Sequence, residues 1–240
     1  MAITWEEGIS IITPTIREAY VPQIVSNFLR QRFISKELIL IINDDRRWFT
    51  APQIAHFNTL NIHIYYMPAS KTLGECLNMG VEIARYNHIA KFDDDDYYGA
   101  LYLNEMYNAF KMENCDVVCK QSIFYYLEAS GKLMILSTSG KNRRVTRGAG
   151  ATIGAKKNIF AKIQFAHLKS GTDTDFFNKC RKHGLICYST SNYNYLCFRN
   201  KDAMQHTWQI TSDALEKKCK GCWNQFMSYE EACYFVEQIK

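Results

Sequence analysis

Four consecutive aspartates, Asp93 to Asp96, form the stretch of this sequence best suited to chemistry. A short apolar run, His88 to Phe92, precedes them, and Tyr97-Tyr98-Gly99 follows. Like charges at the end of a buried strand repel one another and lose hydration, so they require a compensating positive charge. Mg²⁺ or Mn²⁺ prefers oxygen ligands and can hold a phosphate at the same time. The run therefore predicts a metal and phosphate site, and a solvated acidic turn is the alternative interpretation.

The segments around the aspartates predict a sheet in which strands and helices alternate. Continuous apolar runs are followed by segments with helical spacing, which gives the order β-α-β-α-β-α-β-α over the first half. This order is typical of a mostly parallel sheet with right-handed crossovers and helices on both faces. The predicted strands are Gly8–Thr13, Leu38–Ile42, Ile62–Met67 and the run into the aspartates; the predicted helices are Val21–Arg32, one opened by the capping box Thr72–Glu75, and one through Leu101–Phe110.

Polar clusters follow three of these predicted strands. They are Thr13-Pro14-Thr15, Asn43-Asp44-Asp45 and the four aspartates. In a parallel α/β sheet the ligand crevice lies at the carboxyl ends of the strands, and those ends are neighbours. We therefore expect the three clusters to converge on one site.

The second half of the chain has a different pattern. Val117–Leu127 and Leu133–Thr138 predict a hairpin, and a basic loop follows over Lys141–Gly150. Further on, the segment Gly171–Asp175 is predicted to cap a helix. The remaining predicted elements are a short strand at Thr152–Ala155, strands at Leu185–Tyr188 and Tyr193–Phe198, and a last helix at Glu230–Ile239. No repeat or linker divides the chain.

Composition limits the class of protein. The 240 residues carry a formal net charge of +5, which suits anionic substrates and allows peripheral contact with an anionic membrane but is too small for a dedicated nucleic-acid binder. No window approaches about 18 apolar residues, so no transmembrane helix is predicted. Nine cysteines at irregular spacing and no signal peptide predict reduced thiols in a cytoplasmic protein. Cys219 and Cys222 have C-x-x-C spacing but lack a second ligand pair, and are interpreted as structural.

The sequence resembles the nucleotide-sugar-binding core of GT-A fold glycosyltransferases, especially family 2. In that family one strand ends in a short acidic cluster, a helix carries a conspicuous Asn and Gly, and a later strand ends in D-x-D. The matching segments here are Asn43-Asp44-Asp45, Asn78-Met79-Gly80 and Asp93–Asp96, and Ile9–Thr15 resembles the first strand with its base-side loop. Gly171–Asp175 is similar to the segment that supplies the catalytic base, although Thr172 stands where many members have Glu.

The resemblance implies an α/β fold of the GT-A, Rossmann-like type, with a mostly parallel central sheet flanked by helices. It implies one domain over residues 1–240. Within it, residues 1–113 form the nucleotide-sugar-binding half, residues 114–210 a smaller mixed acceptor-side half, and residues 211–240 a C-terminal helical segment.

The resemblance also implies roles on the donor side. Asp93 would lie near the ribose, and Asp95 would ligate Mn²⁺ or Mg²⁺ between two phosphates, with His206 completing the metal shell. The residues alone equally allow an Asp94-x-Asp96 pair; under the favoured assignment, Asp94 and Asp96 lie outside the metal shell and tolerate replacement better. The remaining donor contacts would come from Thr13, Pro14, Thr15, Arg17, Asp44, Asp45, Lys71, Asn78 and Asp94.

Each of these assignments has a plainer alternative. Asp44 or Asp45 can simply form an Asx turn, and Arg17 and Lys71 can simply be solvated. Asp173 is the implied general base, with Asp175 as the competing residue and a helix N-cap as the structural alternative for Asp173. The basic residues Arg143, Arg144 and Arg147 form either a lid that grips phosphate or a solvated loop.

The predicted function is that of a metal-dependent, inverting glycosyltransferase of hexosyltransferase type. It would move a sugar from a UDP-sugar to a hydroxyl acceptor in glycan, cell-surface or coat polysaccharide synthesis. A non-catalytic GT-A-like domain that binds nucleotide or glycan is one alternative. A nucleotidyltransferase is another, although Thr13 to Arg17 lack the glycines of a phosphate loop.

Overall fold

The computed structural model describes residues 6–137, 139–168, 170–202, 210–219, 221–224 and 227–237. The strands are β1 Glu6–Thr15, β2 Lys36–Asn43, β3 Ile62–Met67, β4 Tyr86–Lys91, β5 Tyr97–Tyr98, β6 Val117–Cys119, β7 Phe124–Leu127, β8 Lys132–Ile135, β9 Arg143–Val145, β10 Gly154–Lys156, β11 Cys187–Ser189, β12 Tyr195–Arg199 and β13 Gly221–Asn224. The α-helices are α1 Val21–Arg30, α2 Ala51–Thr59, α3 Leu73–Ile83, α4 Tyr102–Met112, α5 Thr172–Lys182, α6 Ser212–Lys218 and α7 Tyr229–Glu237.

The large sheet has the strand order β3-β2-β1-β4-β10-β6-β11-β9 within the described residues. Strands β1, β2, β3 and β4 are parallel, while β10 runs antiparallel between β4 and β6. Because β1 is central and covered on both faces, Ile9, Ile11 and Ile12 are fully buried. The prediction of an α/β fold with a mostly parallel, helix-flanked sheet is therefore confirmed.

The capping box predicted for α3 is present. The Thr72 hydroxyl accepts from the Glu75 backbone N–H, and the Glu75 carboxylate accepts from the Thr72 backbone N–H at 2.9 Å. The helix then packs closely on β1, where a Cβ on Gly80 would lie 2.5 Å from the Ile12 side chain. This close packing fixes α3 beside the central strand of the sheet.

The first strand extends further than the sequence predicts. Pro14 was expected to end it, but β1 continues to Thr15, which pairs with Ile42 of β2. The Ile12 carbonyl accepts from Phe92 N–H at 3.1 Å, so the backbone groups of Ile12 point toward β4. The backbone of Pro14, two residues later, points to the same side, where β4 has already ended. No ladder hydrogen bond is needed there, and proline is tolerated.

The smaller sheet has the order β13-β8-β7-β12-β5. The predicted hairpin is present as the antiparallel pair β7 and β8. The expectation of one strand over Val117–Leu127 is wrong, because β6 belongs to the large sheet and β7 to the small one. Between them Lys120 turns into the core and pairs with Glu105 at 2.8 Å. In the sequence, Lys120 lies within a long apolar run, and this pattern does not predict a break between two strands.

One other prediction about the second half needs adjustment. The basic segment from Lys141 to Gly150 contains an edge strand, β9, paired antiparallel with β11, and is not loop throughout. One hydrophobic cluster joins Ile9 and Ile11 of the first predicted half with Tyr125 and Tyr195 of the second. The boundaries at residues 113 and 210 stay predictions. None of the described helices has the length and apolarity needed to cross a membrane.

Candidate active site

The four aspartates form a tight turn between β4 and β5. Phe92 and Tyr98, on either side of the turn, stack with ring centroids 3.6 Å apart. The Tyr98 hydroxyl accepts from Asp93 N–H at 2.8 Å and donates to the Ala151 carbonyl at 2.7 Å. Tyr98 is fully buried, so these contacts fix the backbone of the turn at the carboxyl end of the sheet.

Asp94 is held by the end of β1 and the residues after it. Its Oδ2 accepts from the Thr15 hydroxyl at 2.6 Å and from Arg17 Nε at 3.1 Å, and its Oδ1 also contacts the Arg17 guanidinium. The same guanidinium lies 3.0 Å from Asp95 Oδ2. The first and third polar clusters therefore meet, as the strand order required.

Asp96 points into the protein. Its carboxylate accepts from the Tyr195 hydroxyl and, at 3.0 Å, from Phe198 N–H, both on β12. Its carbonyl accepts from the side-chain amides of Gln23 and Asn27 on α1. Burial raises the pKa of Asp96 well above its usual range. These contacts count against the expectation that Asp94 and Asp96 tolerate replacement better, because both hold the turn to other elements; that expectation stays a prediction.

Asp93 and Asp95 have different surroundings. The Asp93 side chain is 38% exposed and the Asp95 side chain 13% exposed. Burial, followed by the nearby charge of Asp94, raises the pKa of Asp95 to about 6, although Arg17 opposes the shift. With the oxygens of Asp94 and Asp96 engaged by neighbouring elements, the geometry favours Asp93-x-Asp95 as the pair facing a ligand.

Asp173 lies in the first turn of α5. The N-cap is Gly171 with φ of 81°, and no side chain caps the helix, so the cap interpretation of Asp173 is wrong. Its side chain is 35% exposed, yet Oδ1 is shielded and has no hydrogen-bond partner. A Cβ on Gly150 would lie 1.8 Å from Asp173 Oδ2, so a residue without a side chain is needed there. Burial raises the pKa of Asp173, and Lys91 opposes the shift.

The competing residue, Asp175, belongs to an ion pair on the surface of its own helix. Its Oδ2 lies 2.7 Å from Lys179 Nζ, four residues along α5. Asp173 has no such partner on its own helix among the described residues. This difference favours Asp173 over Asp175 as the carboxylate available for proton transfer.

Lys91 is a residue that the sequence interpretation did not include in the site. It ends β4, its side chain is 3% exposed, and its Nζ lies 2.5 Å from Asp93 Oδ1 and 3.7 Å from Asp173 Oδ1. Burial alone would lower the pKa of Lys91, but Asp173 and Asp93 raise it above its usual value. A lysine inside an apolar strand, two residues before an acidic run, was the available signal.

The second polar cluster lies at the ends of β2 and β3. Asp44 accepts from Arg46 N–H at 2.9 Å and from Trp48 Nε1 at 2.9 Å, and the Arg46 guanidinium beside it holds the pKa of Asp44 below its usual range. Asp45 accepts from Ala69 N–H at 3.1 Å. Asp44 thus forms the Asx turn that was the alternative, and donor contact for both residues stays a prediction.

Two further predicted donor residues lie on or near α3. Lys71 pairs with Glu75 at 2.8 Å on the surface. The Asn78 side chain donates to the Phe165 carbonyl and accepts from Phe165 N–H, both at 2.9 Å. Asn78 therefore ties a segment of the second half to α3, and its contact with a nucleotide stays a prediction.

The remaining predicted residues are placed as follows. Thr13 is fully buried and its hydroxyl has no hydrogen-bond partner, while Pro14 is half-buried. Arg143 and Arg144 are exposed on β9. His206 lies outside the described residues.

The acidic turn offers the oxygen donors that Mg²⁺ or Mn²⁺ prefers. Within the described residues no three His, Cys, Asp or Glu side chains are arranged as a complete metal cage. Such ions need only one or two carboxylates when phosphates and water fill the other positions. Burial and the charge of Asp94 raise the pKa of Asp95 although the Arg17 guanidinium lies 3.0 Å away, and a bound cation would oppose that shift as Arg17 does. Asp93 and Asp95 therefore fit an ion brought in with a diphosphate.

Solved structures of similar fold are known. Among solved structures, S. aureus TarS residues 1–349 match with a TM-score of 0.63 and 18% identity, covering 80% of this chain and 60% of that one. The same protein in complex with UDP-GlcNAc matches with a TM-score of 0.62 at 18% identity, covering 80% and 59%. This chain thus spans about 60% of the length of those structures. No curated protein matches.

The comparison with protein families covers most of the chain. The model of glycosyl transferase family 2 matches residues 10–181. This range includes β1 from Ser10 onward, the acidic turn, Lys91 and all but the last residue of α5 with Asp173. The chain therefore belongs to glycosyl transferase family 2.

Proposed function

We propose that this protein transfers a sugar from a nucleotide-diphosphate sugar to an acceptor hydroxyl, with inversion at the anomeric carbon. UDP is the proposed nucleotide, because the similar TarS structures include complexes with UDP and with UDP-GlcNAc. A hexosyl donor and a glycan or coat polysaccharide acceptor are part of the proposal. Family membership supports the reaction class, and the residues of the site support the mechanism.

The observation that carries the proposal is the meeting of Asp173 with the acidic turn. A carboxylate with a shielded oxygen that lacks a hydrogen-bond donor lies 3.7 Å from Lys91, which also contacts Asp93. In a single displacement, Asp173 accepts the proton of the acceptor hydroxyl as that oxygen attacks the anomeric carbon. The bond to the diphosphate breaks on the opposite face, and no enzyme nucleophile is required.

The donor side is formed by Asp93, Asp95 and Arg17. A divalent ion held by Asp95, with Asp93 beside the ribose, would neutralise the charge that develops on the departing diphosphate. Arg17 holds Asp94 and Asp95 in place through contacts at 3.1 Å and 3.0 Å. It thereby keeps the two carboxylates, which would repel each other, in one arrangement.

A thermal-shift panel tests donor binding. UDP, GDP, ADP and CDP, together with UDP-GlcNAc, UDP-glucose and UDP-galactose, are each added with and without Mn²⁺. We expect UDP and at least one UDP-sugar to raise the Tm only when Mn²⁺ is present. No stabilisation by any nucleotide in the presence of metal would mean that the donor site is wrongly assigned.

Asp173→Asn separates an enzyme from a non-catalytic nucleotide-binding domain. Turnover is followed as UDP released from the UDP-sugar, so the acceptor can be water or a mixture of glycans. We expect Asp173→Asn to lower turnover by about 10²–10⁴-fold, the usual contribution of general-base catalysis, with UDP affinity retained. Asp175→Asn is the matched control. A larger loss in Asp175→Asn would assign the base to Asp175, and equal turnover in all three proteins would remove the base from α5.

A further inference from the structure

A buried lysine connects the two halves of the candidate site. Lys91 is 3% exposed, and its ammonium faces carboxylates from two separate elements: Asp93 in the acidic turn and Asp173 on α5. We infer that Lys91 is a positioning residue that sets the base carboxylate Asp173 against the donor-side carboxylate Asp93 through one shared ammonium group. The inference rests on the proposed function and adds to it a residue on which the catalytic step depends.

The backbone of Lys91 is fixed on both sides. It pairs with Ile12 of the central strand β1, and its N–H donates to the Ile153 carbonyl at 2.8 Å. The following N–H, of Phe92, donates to the Ile12 carbonyl at 3.1 Å. The ammonium is therefore carried by a rigid part of the large sheet, whereas Asp93 lies in a turn and Asp173 in the first turn of a helix. A buried ammonium on a central strand is therefore suited to holding carboxylates that come from two other elements.

The two contacts of the ammonium differ in length. The 2.5 Å contact to Asp93 Oδ1 is a charge-assisted hydrogen bond, whereas the 3.7 Å separation from Asp173 Oδ1 is too long for one. Lys91 attracts Asp173 without occupying the oxygen that the acceptor hydroxyl must reach. Once Asp173 has taken the acceptor proton and become neutral, Lys91 keeps its bond to Asp93. The ammonium is thus never left without a charged partner during the reaction.

The charges around Lys91 and Asp173 are consistent with this role. Asp173 and Asp93 lie beside the Lys91 ammonium, and together with the charge of Asp96 they raise the pKa of Lys91 above its usual value although burial opposes them. Lys91 and Asp93 are the charged groups that act on Asp173, with opposite effects. Without the ammonium, Asp173 would face the charge of Asp93 directly, and both burial and repulsion would favour its protonated form. A protonated carboxyl cannot accept the acceptor proton.

A second buried lysine provides a matched control. Lys120 is 2% exposed and lies 2.8 Å from Glu105, 3.0 Å from the Thr190 hydroxyl and 3.0 Å from the Ser191 carbonyl. These contacts hold α4 and β6 to the loop after β11. Within the described residues the hydrogen bonds and ion pairs of Lys120 reach neither the acidic turn nor Asp173, so its replacement disturbs the fold but not the carboxylates of the site.

The test compares Lys91→Met, Lys91→Arg and Lys120→Met with the unmodified chain. Each protein is assayed for Tm, for UDP affinity with Mn²⁺ and for kcat and KM of UDP release from the UDP-sugar that the binding panel selects. We expect Lys91→Met to lower kcat by at least tenfold while KM for the donor changes less than threefold. Lys91→Arg should recover part of kcat, because it retains the charge. Lys120→Met should lower the Tm and leave kcat within threefold.

The outcomes separate the inference from the proposed function. If Lys91→Met lowers only the Tm, as Lys120→Met does, Lys91 is structural and the inference is overturned while the proposed function stands. If Lys91→Arg folds but is as slow as Lys91→Met, retention of the charge does not matter, and the inference is overturned as well. If the unmodified chain releases no UDP from any donor, the proposed function fails and the inference fails with it. If Lys91→Met does not fold, kcat is compared between Lys91→Arg and Lys91→Gln. A higher kcat in Lys91→Arg supports the inference, and equal kcat values overturn it.

Discussion

Replacement of Asp96 should destabilise the fold strongly, even though Asp96 belongs to an acidic run that could have been a solvated turn. Its carboxylate accepts from the Tyr195 hydroxyl and from Phe198 N–H at 3.0 Å, and the residue is 3% exposed. Asp96→Ala removes both acceptors and leaves the buried Tyr195 hydroxyl and the half-buried Phe198 N–H without these partners. These bonds connect the acidic turn with the small sheet, so their loss weakens the attachment of the turn to that sheet.

The size of the effect follows from the two orphaned donors. A buried donor left unsatisfied costs about 1–3 kcal/mol, so Asp96→Ala should lower the free energy of unfolding by about 4 kcal/mol. For a chain of this size that corresponds to a fall in Tm of about 8–16 °C. Asp96→Asn keeps one acceptor oxygen and mimics the neutral acid that burial favours, so we expect about half that loss.

Urea unfolding followed by circular dichroism, together with thermal melting, measures both variants. Glu82→Ala, which removes an exposed acid on α3, is the control and should change stability by less than about 0.5 kcal/mol. A Tm for Asp96→Ala within 2 °C of the unmodified chain would refute the reasoning. So would equal losses for Asp96→Ala and Asp96→Asn, because the argument depends on the retained acceptor.

Three further predictions concern neighbouring residues. Because burial raises the pKa of Asp173, its ionisation costs the folded state stability as the pH rises through that pKa; the Tm of Asp173→Asn relative to the unmodified chain should therefore increase from pH 4.5 to pH 8, and a decrease would contradict the assignment. Arg17→Met removes the guanidinium from Asp94 and Asp95, so Mn²⁺ should raise the Tm of this variant more than that of the unmodified chain; an equal or smaller rise in thermal-shift assays would show that the ion does not replace that charge. Tyr98→Phe deprives Asp93 N–H and the Ala151 carbonyl of their shared partner and should cost about 1–3 kcal/mol in urea unfolding, whereas Tyr234→Phe, at an exposed position of α7, should cost less.

Much of the fold could be predicted because it depends on local pattern. The apolar runs of β1 to β4 and the capping box of α3 are visible in consecutive residues, and alternation of strands with helices nearly determines a parallel sheet. The break between β6 and β7 could not be predicted in this way. The break lies at Lys120, which pairs with Glu105 of helix α4, and no pattern in neighbouring residues predicts that pairing.

As with the fold, the sequence predicted part of the candidate site. Strand polarity placed the aspartates beside Thr15 and Arg17, which are 79 and 77 residues from Asp94 in the sequence, and the structure brings them into contact. The same reasoning placed Asp44 in the site, where its oxygens instead serve a local turn with Arg46 and Trp48. Position at a strand end identifies which side chains can reach a crevice, but the nearest donors decide which of them remain available to a ligand.

By itself, the sequence determined the alternating order of elements, the position of the acidic run at the end of a buried strand, and the similarity to a family that uses such a run. These are properties of neighbouring residues and of chain direction. Only the tertiary structure decided which side chains each of the four aspartates contacts. Asp94 binds Arg17, Asp96 binds Tyr195 from 99 residues away, and Asp93 shares Lys91 with Asp173. Adjacent carboxylates of the same residue type have different surroundings because each meets a different donor, and those donors come from elements that only folding brings together.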